Sequence, residues 1–178
     1  ILTGGAGADI ITGGAAVDTI VGGAEIDTIT GGAGNDIITG GSGNDIITVD
    51  AGTDTVLDLG GGGSGGESDV VVVASGATLN ATGVISFTAT SATQNNSANA
   101  GNATLTAADG GSTMNVSAAT GSGVSFTLTG GAGADIMTGS TGADIITGGA
   151  AVDTITGGAG NDIIDAGAGA DIIIIGTA

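Results

Sequence analysis

The chain has 178 residues, 40 of them glycine, and contains no lysine, arginine, histidine, cysteine, proline, tryptophan or tyrosine. Its 18 acidic residues face no base, so the formal net charge is −18. This composition excludes disulfides, zinc sites with thiolate or imidazole ligands, and catalysis by His, Cys or Lys, and it predicts that nucleic acid and anionic membranes are repelled. Because 40% of the residues are apolar, we expect a folded chain if something neutralises the acids.

The first block, residues 1–57, is built from repeats nine residues long, such as GGAGADIIT. The first six residues of a repeat are small and end in Asp, which predicts a turn, and the last three are apolar or β-branched, which predicts a strand. Such short strands persist only when neighbours stack on them, so the sequence predicts a parallel β-roll in which two repeats form one coil. The repeated aspartates of this block are Asp9, Asp18, Asp27, Asp36, Asp45 and Asp54.

The middle segment has a different pattern. Residues 58–69 form a Gly-rich connector, and residues 70–129 are rich in Thr, Ser and Asn and contain no nonapeptide. Apolar residues in short runs or alternating with polar ones predict strands at 70–73, 84–90, 103–107, 113–117 and 124–129. These strands are compatible with a solenoid of longer coils or with a small β-sandwich, and no catalytic pattern is present in them.

The nonapeptide resumes in the second block, residues 130–178, with Asp135, Asp144, Asp153, Asp162 and Asp171. In both blocks the middle residue of each strand triplet is expected to point inward, and all eleven such residues are apolar. They are Ile11, Ile20, Ile29, Ile38, Ile47 and Val56, followed by Met137, Ile146, Ile155, Ile164 and Ile173.

The residue before each inward position should face outward, yet it is often isoleucine. This holds at Ile10, Ile37, Ile46, Ile136, Ile145, Ile163 and Ile172. Rows of apolar residues on flat faces indicate contact with another roll, another subunit or the middle segment. The alternative is that a good strand former is tolerated on an exposed face, and the sequence leaves both open.

Stacking places the aspartates of alternate repeats over one another, with Asp9, Asp27 and Asp45 on one edge and Asp18, Asp36 and Asp54 on the other. Like charges about 5 Å apart repel by on the order of 0.8 kcal/mol even at the dielectric constant of water, so a cation is expected between them. Carboxylates and backbone carbonyls without nitrogen or sulfur donors favour a hard cation, and calcium fits better than magnesium because it accepts more ligands in looser geometry. One ion between each same-edge pair of turns gives about seven ions.

These repeats resemble the RTX nonapeptide, GGxGxDxUx with U apolar, and residues 4–12 and 31–39 match it fully. The resemblance implies a parallel β-roll, calcium held between turns by the sixth-position Asp and turn carbonyls, type I secretion, and folding outside the cell. Besides the eleven aspartates, the metal-binding residues that it implies are Gly5, Gly7, Gly32, Gly34, Asn35, Gly41, Gly43, Asn44, Gly131, Gly133, Gly158, Gly160 and Asn161.

Some repeats depart from this pattern. Ala16, Glu25 and Ala151 replace the fourth glycine, and a β-branched residue follows each of them. Because such residues rarely adopt positive φ, we expect these turns to be reshaped and to bind calcium weakly, unless Glu25 supplies an additional ligand. The turn at Gly139-Ser140-Thr141 is also imperfect.

The sequence therefore predicts a secreted, calcium-stabilised structural module of an extracellular assembly such as a surface layer, filament or matrix. In composition it is similar to RTX-containing bacterial S-layer proteins. The alternatives are the secretion and folding domain of a larger exoenzyme or toxin, or an adhesin module. Self-association into a lattice or filament is expected, whereas nucleic-acid binding and membrane insertion are not. Enzymatic activity is not expected either, because nothing beside the carboxylates supplies a basic partner or a substrate-binding aromatic ring.

Overall fold

The computed structural model describes residues 1–60, 68–96, 103–121 and 124–176. Among these residues there are nineteen strands and no helix. It follows that none of the described residues belongs to a helix long and apolar enough to cross a membrane. Most of the predicted connector, residues 61–67, lies outside the described part of the chain.

The strands follow the three parts of the sequence. The first block contains β1 (Leu2–Ala6), β2 (Ile10–Gly14), β3 (Thr19–Ala24), β4 (Thr28–Gly32), β5 (Ile37–Ser42), β6 (Ile46–Val49) and β7 (Thr53–Val56). The middle segment contains β8 (Val70–Val73), β9 (Thr78–Val84), β10 (Ser86–Thr88), β11 (Gln94–Asn95), β12 (Ala103–Ala107) and β13 (Thr113–Asn115). The remaining strands are β14 (Thr127–Gly131), β15 (Ile136–Thr138), β16 (Ile145–Ala150), β17 (Thr154–Thr156), β18 (Ile163–Ala168) and β19 (Ile172–Ile174).

Three parallel sheets are formed by these strands. The long sheet runs through both blocks and the middle segment in the order β1-β3-β5-β7-β9-β12-β14-β16-β18. A first short sheet, β2-β4-β6-β8-β11, lies on the other side of the first block, and a second, β10-β13-β15-β17-β19, continues into the second block. The predicted all-β parallel roll is confirmed.

The coils are wider in the middle segment than in the two blocks. Paired residues in the blocks are 18 positions apart, as Ile20 and Ile38 are. In the middle segment the offset is 24 for Leu79 and Ala103. The additional residues form a third side, since β9, β10 and β11 follow one another along the chain and belong to three different sheets. The middle segment is therefore a solenoid with longer coils, and the sandwich alternative is wrong.

The predicted strands at 70–73 and 103–107 coincide with β8 and β12. β9 was not predicted, because its sequence TLNATGV contains few large apolar residues, so that the alternation of buried and exposed positions is hard to recognise. The long sheet crosses the predicted segment boundaries at 57/58, 69/70 and 129/130 without a break, and β14 itself spans the last of them. Those domain boundaries stay predictions.

The core is a column of inward side chains along the roll. The predicted inward residues from Ile11 to Ile155 are buried, and Ile164 is partly buried. Ile173 is 47% exposed, because its strand β19 has a neighbour on one side only among the described residues. Phe87 and Phe126 are fully buried within the wider coils, where the longer perimeter encloses room for an aromatic ring.

Candidate metal sites

The repeated aspartates of the first block form two hydrogen-bonded ladders, one along each edge of the roll. The Asp9 N–H donates to Asp27 Oδ1 at 2.8 Å, and the Asp27 N–H donates to Asp45 Oδ1 at 2.8 Å. On the other edge Asp18 donates to Asp36 at 2.8 Å and Asp36 to Asp54 at 2.9 Å. Each of these Oδ1 atoms thus accepts a backbone N–H from the preceding coil, which fixes the orientation of the carboxylate.

The second block repeats this arrangement. Asp135 donates to Asp153 at 2.8 Å and Asp153 to Asp171 at 3.0 Å, while Asp144 donates to Asp162 at 3.0 Å on the opposite edge. Both ladders begin in the middle segment, where the N–H groups of Ser112 and Phe126 donate at 2.6 Å to Asp135 and Asp144. Both ladders are therefore hydrogen-bonded to the wide coils as well as to their own block.

The second carboxylate oxygen is different, because in most of the buried aspartates it has no hydrogen-bond partner. Burial of a carboxylate oxygen without a partner costs considerable free energy in the absence of a compensating charge. Among the described residues seven Oδ2 atoms are buried in this way, those of Asp9, Asp27, Asp36, Asp45, Asp54, Asp135 and Asp153. This set is the strongest sign that the ladders bind positive charge.

The first glycine of each repeat leaves open the space that these oxygens face. A methyl group on Gly22 would collide with Asp27 Oδ2 and would lie 2.5 Å from the carbonyl oxygen of Gly40 in the next coil. Gly4 lies in the same way beside Asp9 Oδ2 and the Gly22 carbonyl oxygen. A carboxylate oxygen and a backbone carbonyl oxygen thus converge at a point that only a residue without a side chain keeps free.

These first glycines were not among the predicted site residues, although their recurrence in the nonapeptide was a usable signal. Aspartate Oδ2 is a close neighbour of the first glycine in nine turns, which include the imperfect turn at 139–144. The glycines are Gly4, Gly13, Gly22, Gly31, Gly40, Gly130, Gly139, Gly148 and Gly157.

Most of the predicted turn glycines have a conformational role that the structure shows directly. The backbone has positive φ at the second and fourth positions of the regular turns, for example 96° at Gly32 and 137° at Gly34. Gly133 is the predicted glycine without positive φ. The side chains of Asn35 and Asn44 accept N–H groups from Thr53 at 3.0 Å and Ser68 at 2.9 Å, so they brace adjacent coils, while Asn161 is exposed.

Two of the three atypical fourth residues keep the geometry of a regular turn. Glu25 and Ala151 have φ values of 74° and 76°, whereas φ at Ala16 is not positive. Their aspartates, Asp27 and Asp153, retain a buried Oδ2 without a partner. The turns at Glu25 and Ala151 are therefore strained but not reshaped, and the side chain of Glu25 is exposed.

The electrostatics of the ladders also favour the binding of a cation. Burial raises the pKa of Asp45 to about 6, and repulsion from Asp69 and Asp27 adds to this, against the opposing hydrogen bond from the Asp27 N–H. Burial likewise raises the pKa of Asp54 and of Asp135. Without a counter-ion the fold thus disfavours the charged form of these carboxyls.

Two acids outside the nonapeptide join this system, and sequence reasoning missed both. Asp69 extends the first ladder, accepting the Asp45 N–H at 2.9 Å and the Gly60 N–H at 2.7 Å. Asp58 accepts the N–H groups of Gly40 and Gly41 at 2.9 and 2.8 Å. The nine-residue period does not predict them, because the wider coil changes the separation between hydrogen-bonded aspartates from 18 to 24 residues.

The donor set fits calcium. The polar atoms nearest the open points beside the first glycines are carboxylate or backbone carbonyl oxygens, as a hard cation with loose coordination geometry requires. Within the described residues no group of three acidic side chains is placed to hold one metal ion, so each site would draw on backbone carbonyl oxygens beside its carboxylates. When bound, the ion supplies positive charge between coils.

The RTX calcium-binding nonapeptide repeat model matches the chain four times, at residues 1–29, 21–56, 127–154 and 138–173. Together these matches cover more than half of the chain, and no curated protein matches it. Repeats of this kind bind calcium and are typical of secreted proteins, and their β-roll is a structural fold. The chain therefore belongs to the RTX calcium-binding nonapeptide repeat family.

Proposed function

We propose that this chain is a secreted, calcium-stabilised structural module of an extracellular assembly such as a surface layer, filament or matrix. The observation that carries the proposal is the set of seven buried carboxylate oxygens without partners. They line a roll with a net charge of −18 and no basic side chain, so ions from solution are the available source of compensating charge.

Calcium would act here as part of the fold. The residues that would hold it are the aspartates of the partnerless set, together with carbonyl oxygens at the first-glycine positions of the next coil. Asp18, Asp162 and Asp171 stay predicted ligands. About seven divalent ions would bring roughly +14 against −18, and because the unfolded chain has no formed sites, binding would drive folding.

The assembly part of the proposal rests on the outward isoleucines. Ile37 and Ile145 are 41% and 38% exposed on the long sheet, and Ile136 is 53% exposed on the second short sheet. Thr19, Thr55 and Thr127 occupy the equivalent outward position on the same long sheet, so a polar residue is compatible with the fold there. Ile145 lies beside Ile163 in this outward row, whereas Ile37 lies between two threonines. Exposed apolar side chains on a sheet favour contact between copies.

The test combines chelation with a surface variant. Electron microscopy and sedimentation of the purified chain should show ordered particles in calcium, and chelator should disperse them together with the loss of β signal in circular dichroism. The double variant Ile37→Thr/Ile145→Thr should keep the dichroism spectrum and lose self-association, whereas the control Thr19→Ser on the same sheet should keep both the spectrum and the self-association. A full β signal in excess chelator would refute the calcium role, and unchanged association of the double variant would refute the surface assigned to assembly.

A further inference from the structure

Two turns of the second block form a natural comparison. Residues 130–135 and 139–144 have the same residue types at the first, fourth, fifth and sixth positions and differ at the second and third, where Gly131 and Ala132 are replaced by Ser140 and Thr141. The carboxylates that end the two turns, Asp135 and Asp144, are both 1% exposed. Asp135 Oδ2 has no hydrogen-bond partner, but Asp144 Oδ2 does.

The partner of Asp144 is Ser140. The Ser140 backbone N–H donates to Asp144 Oδ2 at 2.6 Å, and the Phe126 N–H donates to Oδ1 at 2.6 Å. The Ser140 hydroxyl oxygen lies 3.0 Å from both carboxylate oxygens and also contacts the Val124 carbonyl oxygen, so its single proton is shared between acceptors. Both oxygens of Asp144 therefore already have hydrogen-bond donors from the protein.

The exchange of glycine for serine explains this local difference. Gly131 has φ of 135°, a conformation that residues with a side chain rarely adopt, and φ is not positive at Ser140. The serine turn thus has another backbone path, in which the second-position N–H points at the carboxylate. A hydrogen-bond donor at that oxygen supplies partial positive charge and opposes the approach of a cation.

We propose that the turn at residues 139–144 binds no calcium ion, because the N–H and hydroxyl groups of Ser140 occupy the Asp144 carboxylate instead. This inference rests on the proposed calcium binding of the regular turns. It makes Asp144 a structural acid rather than a metal ligand. Since Val124 and Phe126 belong to the last wide coil, the Ser140–Asp144 unit joins the second block to the middle segment without metal.

Calcium counting on the full chain tests the assignment. Equilibrium dialysis should show one more bound ion in Ser140→Gly than in the wild type, since the exchange restores the regular Gly-Gly pair. The matched control Thr141→Ala alters the third position alone and should leave the count unchanged. The reciprocal variant Gly131→Ser should lose one ion.

A measurement on the wild type does not depend on the folding of any variant. The Ser112 and Phe126 N–H groups donate at the same distance, 2.6 Å, to Asp135 and Asp144. When hydrogen exchange is followed while free calcium is lowered, the Ser112 amide should lose its protection first. The Phe126 amide should lose its protection only at a lower calcium concentration.

The outcomes separate the two proposals. Equal ion counts above zero in the wild type and Ser140→Gly, or simultaneous loss of protection at the two amides, would overturn the role of Ser140 and leave calcium binding intact. A wild-type chain that binds no calcium would instead overturn the proposed function.

Discussion

The substitution Asp27→Asn removes one charge from the middle of a ladder while keeping the shape of the side chain. Asp27 is fully buried, accepts the Asp9 N–H at 2.8 Å and donates its own N–H to Asp45 at 2.8 Å. The amide oxygen of asparagine still accepts the hydrogen bond from Asp9. The exchange therefore isolates the charge and the Oδ2 atom beside Gly22.

The expected effect has opposite sign with and without calcium. At free calcium of about 100 times the dissociation constant, one lost site lowers the free energy of unfolding by about 2.7 kcal/mol. Without calcium, neighbouring charges on coils about 4.8 Å apart repel by roughly 0.9 kcal/mol at the dielectric constant of water and more near the protein. Asp27 has two such neighbours, so the variant should stabilise the metal-free fold by about 2 kcal/mol or more.

Denaturant unfolding followed by circular dichroism, in calcium and in chelator, measures both effects. If the chelated chain is unfolded in water, sucrose promotes the compact state and extends the comparison. Asp109→Asn is the matched control, because Asp109 is exposed and the exchange removes the same charge outside the ladders. Equal destabilisation by Asp27→Asn in calcium and in chelator would refute the calcium-bridged ladder.

Three further predictions concern single turn residues and the dependence of stability on pH. Gly22→Ala should lower calcium affinity at least tenfold in a calcium titration, because its methyl group would occupy the open point, whereas Gly110→Ala, which meets nothing within 4 Å, should not. Ala151→Gly should raise the free energy of unfolding by up to about 1 kcal/mol, because glycine adopts the φ of 76° without strain. Ala16→Gly should lower the free energy of unfolding by roughly 0.4–1 kcal/mol, because φ at Ala16 is not positive and glycine makes the unfolded chain more flexible. Thermal unfolding of both variants measures the two signs. In chelator, denaturant unfolding followed by circular dichroism should show that the free energy of unfolding rises as the pH falls from 7 towards 4. The reason is that the pKa of Asp45 is raised to about 6, so the folded state binds the proton more tightly than the unfolded chain does. In calcium the same acidification should lower the free energy of unfolding, because protons compete with the ion for the carboxylates.

Much of this protein could be predicted from the nonapeptide alone. A nine-residue period fixes which residue of each triplet points inward, and it places Asp9 over Asp27 and Asp18 over Asp36, because two repeats complete one coil. The parallel roll and the oxygen-only character of the sites follow from the same local pattern.

The tertiary structure decided what the period does not encode. The long sheet continues through the middle segment because strands such as β9 and β12 find their partners about 24 residues away, and no local pattern specifies that offset. Asp69 entered the ladder only through that stacking. Likewise, the sequence shows Ser140 only as a substitution at the second position of one repeat. Its contacts with Asp144 depend on the backbone conformation of that turn and on its packing against the preceding coil.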